Sequence, residues 1–142
     1  MVETVHRTPE ASLREIFLRA AATLAERDQR GEVVAEALGY LQQGFGAHYA
    51  GGPATDDEIL VGDYAYARAV ETIATLDEPR FAGVASRMIR DGAGEISRGN
   101  SVSLALWTSH LAQLLDIISG EGEERSEERV RRAIGEVTRG GE

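Results

Sequence analysis

"EILVGDYAYARAVETIATL", Glu58 to Leu76, decides the fold. Ile59, Leu60, Val61, Tyr64, Ala65 and Ala67 leave little room for a solvated face. A helix apolar nearly all round is covered on most of its sides. Within that run Asp63 follows Gly62 directly. A carboxylate there is expected to be buried and structural, accepting hydrogen bonds from a neighbouring helix or an arginine. An unpaired buried charge would cost several kcal/mol, on the order seen for other buried ions.

Working outward, the helical period holds almost throughout, and no period-two strand pattern appears. Before the quoted stretch, Thr55 to Glu58 reads as a capping box. "GFGAHYAGGPAT", Gly44 to Thr55, reads as a loop from its glycines and proline. Upstream, Val34, Ala37, Leu38 and Leu41 stripe a helix from near Gly31 to Phe45. Thr8-Pro9-Glu10 opens a first helix carrying Leu13, Ile16, Phe17, Ala20 and Leu24. Downstream, a helix over 79–97 turns Phe81, Val84, Ala85, Met88, Ile89 and Ile96 inward. The next, over 101–119, presents Leu104, Trp107, Leu111, Leu114, Leu115 and Ile118, with Gly120 as its stop. A polar "EGEER" connector leads to a sixth helix from Ser126, with Val130, Ala133, Ile134 and Val137 inward. The expectation is one all-α domain over 1–142, a bundle of about six helices. It divides into an N-terminal helix (1–30), a core (31–120), and an acidic linker with a C-terminal helix (121–142).

The chain has 142 residues and a net charge of −9. That length is enough for a core without staples. No basic patch shows, which argues against nucleic acid. All 15 basic residues are arginine, so lysine Schiff-base chemistry is absent. There is no cysteine, hence no disulfide or thiolate site. No signal peptide or membrane span is read, and a cytoplasmic location is expected. His6, His48 and His110 form no Glu-x-x-His pair, and no common catalytic motif is present. His48 is expected to be exposed, and His110 at a surface or interface. Asp56 and Asp57 suit a helix N-terminus better than a metal site, since Leu60 stands one turn on.

Three stretches together resemble trans-type polyprenyl diphosphate synthases of the isoprenoid synthase fold. They are "GGPAT" followed by "ILVGDYAYARA", then "ASRMIRDGAGEIS", then "LWTSHLAQLLDI". The resemblance spans roughly Gly31 to Ile118 and implies a truncated version of that all-α fold. It implies that Asp63, Tyr64, Tyr40, Leu41, Phe45, Glu95 and Thr108 are structural or cavity positions. Members bind substrate diphosphate through magnesium held by two aspartate-rich motifs, because the leaving group is highly anionic. The first motif belongs upstream of "GGPAT", yet there is no Asp or Glu between Glu36 and Asp56. The second belongs beyond Glu142. Gly52 stands where the family has lysine, and Trp107 replaces the lysine of its Lys-Thr pair, leaving Thr108.

This pattern resembles the small, non-catalytic component of two-component heptaprenyl diphosphate synthases. The chain alone is expected to be inactive and to need no cofactor. It would serve as a subunit or regulator of a catalytic prenyl diphosphate synthase. An alternative is a module holding an isoprenoid or other lipid tail against Tyr40, Leu41 and Phe45. Another is a ligand-free homodimer. An interface is expected on the third and fifth helices, with Leu60, Trp107 and Leu111 in it.

Overall fold

The computed structural model describes residues 11–48, 56–100 and 103–140. Among the described residues the fold is all-α, with six helices: α1 (Leu13–Ala22), α2 (Gln29–His48), α3 (Asp56–Ala74), α4 (Pro79–Ser97), α5 (Leu104–Ser119) and α6 (Glu123–Gly140). The expected stripes become the core, except that Ile96 of α4, expected inward, lies outside it. Leu13, Ile16, Phe17 and Ala20 of α1 are fully buried at i, i+3, i+4, i+7 spacing. Val34, Leu38 and Leu41 of α2, Phe81 and Met88 of α4, Leu111 and Leu115 of α5, and Val130 of α6 join them. One contiguous cluster of buried apolar side chains draws on all six helices. α1 packs on α2 and α6, α5 on α6 and α4, and the most extensive pairing is α2 with α3.

Capping chemistry sets the ends. Ser12 caps α1 and its hydroxyl accepts the Glu15 N–H at 3.1 Å. The Thr8-Pro9-Glu10 signal lies outside the described residues, as does the Thr55 cap. Glu78 caps α4 and Pro79 occupies its first turn. Gly120 ends α5 in the left-handed region, at φ 69°. α6 begins at Glu123, three residues before Ser126, with Glu123 and Glu124 in its positively polarised first turn. Arg129 then braces α6 on α1. It grips Glu121 with two nitrogens at 2.8 and 2.9 Å and donates to the Thr23 carbonyl at 3.0 Å.

The end of α2 differs too. α2 does not break at Gly44 but continues to His48. A glycine in a helix costs about 1 kcal/mol against alanine. Here Gly44 lies under the Tyr66 ring, where a Cβ would come within 2.4 Å of a ring carbon. The residue taken for a chain breaker is a packing notch that lets α3 close on α2.

Candidate functional site

α3 buries only Gly62, Ala65, Ala69 and Ile73, a row of mostly small side chains against α2. Glu58, Tyr66, Arg68 and Thr72 are half-buried, and the rest of the helix faces outward. The exposed large apolar residues among those described are Ile59 (42%), Leu60 (66%), Val61 (48%), Tyr64 (66%) and Val70 (45%), all on this one helix. Its own chain therefore covers α3 on one side only, and Leu60, expected at an interface, stands exposed on the other.

Asp63 is corrected with it. At 100° per residue, the step from buried Gly62 carries Asp63 onto the outer side, where it is exposed. Its charge still reaches the neighbouring ring. Burial, and secondarily Asp63, push the Tyr66 phenol up to about 12. Asp63→Ala should change unfolding free energy by less than about 0.5 kcal/mol, as surface substitutions do. A loss above about 2 kcal/mol in urea denaturation would restore the buried-carboxylate account.

The other expected positions do not converge. Leu41 (1% exposed) and Phe45 (5%) sit in the packed core. Tyr40 is half-buried; its hydroxyl accepts from Arg68 at 3.2 Å, with the guanidinium 5.2 Å from the ring centre. Glu95 closes the end of α4. It pairs with Arg98 and accepts from the Asn100 side chain at 3.1 Å. Arg98 first, then Asn100, hold its carboxyl below the usual range. Thr108 bonds back to the Leu104 carbonyl of its own helix at 3.1 Å. Trp107 and Leu111, expected at an interface, are buried inside the chain at 3% and 0%.

What the fold does assemble is an aromatic and polar row across α2–α5. Phe45 meets Tyr66 edge-on at 5.5 Å and stacks on Trp107 at 4.9 Å. Trp107 meets His110 at 5.6 Å. His110, expected at a surface or interface, is buried at 8% exposure. Its Nε2 lies 2.9 Å from Asp91 Oδ2 and its Nδ1 3.0 Å from the Leu106 carbonyl. Both facing groups are acceptors, so both bonds are made when the ring carries two protons. Asp91, 19 residues away on α4, carried no signal in the sequence.

The His110 hydrogen bond, then its charge and that of Arg90, hold the Asp91 carboxyl below the ordinary aspartate range, against an opposing effect of burial. A depressed folded value means this contribution is present above the unfolded value of about 3.9 and lost as pH falls through the folded one. Asp91→Asn should therefore lower the melting temperature at pH 6 and flatten its fall below pH 4, relative to wild type. Parallel melting curves from pH 6 to 2 would show Asp91 uncoupled from folding.

Among the described residues, two surface grooves have volumes of about 220 and 270 Å³. One lies between α1 and α6, the other between the α1–α2 turn and the end of α5. Neither is lined by Tyr40, Leu41 or Phe45. Among the described residues no cluster of three or more metal-ligating side chains occurs, and no helix is long and apolar enough to cross a membrane. Asp56 and Asp57 stand exposed in the first turn of α3.

Comparison with protein-family models, with curated proteins and with solved structures returns no significant hit. The outer face of α3 is thus the candidate site on geometry alone. It is an uncovered apolar stripe on a helix whose other side is fixed to α2.

Proposed function

We propose that this chain is a non-catalytic subunit or regulator that works by docking onto another protein through the outer face of α3. The observation that carries the reading is the gathering of five exposed large apolar side chains on that helix. Scattered single exposures are ordinary, whereas a contiguous patch marks a binding surface. The resemblance in "GGPAT", "ILVGDYAYARA" and "ASRMIRDGAGEIS" makes a catalytic polyprenyl diphosphate synthase the expected partner. The stretch from Glu36 to Asp56, empty of carboxylates, supports a non-catalytic role, because magnesium-bound diphosphate needs them.

The test is reconstitution with a catalytic polyprenyl diphosphate synthase from the same cells, followed by light scattering and an elongation assay. A complex heavier than the synthase by at least one 15.3 kDa chain is expected. Leu60→Ser/Tyr64→Ser should disrupt it. Magnesium-dependent elongation by the pure chain at ordinary enzyme rates would overturn the non-catalytic reading. A clean monomer with and without the synthase would overturn that choice of partner.

A further inference from the structure

We propose that the outer face of α3 takes a basic amphipathic helix, one with an apolar stripe bordered by arginine or lysine. This deepens the docking reading above and rests on it. Leu60, Tyr64 and Ala67 lie at i, i+4, i+7 and form one outward row. Ile59 and Val70 flank it on one side and Val61 on the other. From Ile59 to Val70 the stripe runs about 17 Å, three helical turns. That is the footprint of a helix laid lengthwise.

The border is acidic. α3 carries Asp56, Asp57, Glu58, Asp63 and Glu71 against a single arginine. Asp56 and Asp57 stand one turn before Leu60, Asp63 lies between the outward row and Val70, and Glu71 stands one turn beyond Ala67. The arginine, Arg68, is turned to Tyr40 and Glu71, bonding Glu71 at 2.6 Å. The rim therefore presents net negative charge around an apolar centre.

Charge decides against a second copy of the chain. Two such faces would set carboxylates against carboxylates on molecules of net charge −9 each. A basic-bordered helix converts the same rim from repulsion to attraction.

The probes are two fluorescein-labelled synthetic helices of about 18 residues, five turns, with one leucine stripe. One has arginine at the bordering positions, the other glutamate. Each is titrated with the full chain by anisotropy at about 50 and about 200 mM salt. The arginine-bordered helix should bind about tenfold tighter or more, and the difference should shrink at the higher salt. Leu60→Ser/Tyr64→Ser should weaken it about tenfold, with unchanged circular dichroism because both residues are mostly exposed. Asp57→Asn/Asp63→Asn should cut the preference for the arginine border, weakening the arginine-bordered helix and strengthening the glutamate-bordered one. Equal binding of both helices, lost in the Leu60→Ser/Tyr64→Ser variant, would overturn the basic border and leave docking through α3 standing. Binding of neither helix to a monomeric chain would overturn both. A self-dimer abolished by Leu60→Ser/Tyr64→Ser would replace the proposed occupant with a second copy.

Discussion

Trp107→Ala should lower the unfolding free energy of the isolated chain by about 3–5 kcal/mol, the usual cost of truncating a buried large aromatic. Domains of this size are stable by about 5–15 kcal/mol, so the variant should be partly unfolded near physiological temperature. The indole is 3% exposed, stacked on Phe45 at 4.9 Å and edged by His110 at 5.6 Å. Removing it leaves a void between α2 and α5 and takes away the wall beside the His110–Asp91 pair. The rings on either side are anchored on different helices, so collapse into the void is limited. Trp107 is the one tryptophan of the chain, so the variant is followed by far-ultraviolet circular dichroism in urea. An interface anchor would behave differently. Its loss would reduce self-association or partner binding and leave the unfolding of the monomer alone. A change below about 1 kcal/mol in the monomer would return Trp107 to an interface role.

The stripes on α1, α2, α4 and α5 were legible because they obey the rule that periodicity expresses, in which apolar side chains at helical spacing face one core. The ends of α4 and α5 were legible because Pro79 and Gly120 act locally. Which side of α3 its own chain buries was beyond sequence judgement, because sequence pattern gives the same signal for a helix buried by its own chain and one left open for a partner. Only tertiary placement distinguishes them, and here Gly62, Ala65, Ala69 and Ile73 mark the buried side while Ile59, Leu60, Val61, Tyr64 and Val70 face out. Asp63 fell with that judgement. Gly44 misled for a related reason. Its intrinsic preference is to break a helix, yet a close contact with Tyr66 supplies a use for its missing side chain. The His110–Asp91 pair joins two helices across a separation that no spacing rule anticipates.

Gly92→Ala tests how tightly the aromatic row is held, and it should destabilise the chain by about 1–2 kcal/mol. On α4 this glycine is buried, and a Cβ there would stand 2.7 Å from Phe45 Cε1 and 3.1 Å from Phe45 Cζ and the far edge of Trp107. Two effects oppose. Alanine gains about 1 kcal/mol over glycine in a helix, while forcing an extra carbon into a filled core costs about 1–3 kcal/mol. The second wins if the rings cannot retreat. Phe45 is held between Tyr66 and Trp107, and Trp107 is backed by His110, so each ring blocks the movement of the next. The same reasoning sets the control. In a Phe45→Leu background the nearest ring atoms are gone, and Gly92→Ala should become neutral or stabilising as its helix preference goes unopposed. The coupling between the two substitutions should then be on the order of 1–3 kcal/mol in a double-mutant cycle. Additive effects, or a Gly92→Ala variant more stable than wild type on its own, would mean the row yields and that Gly92 is not its spacer.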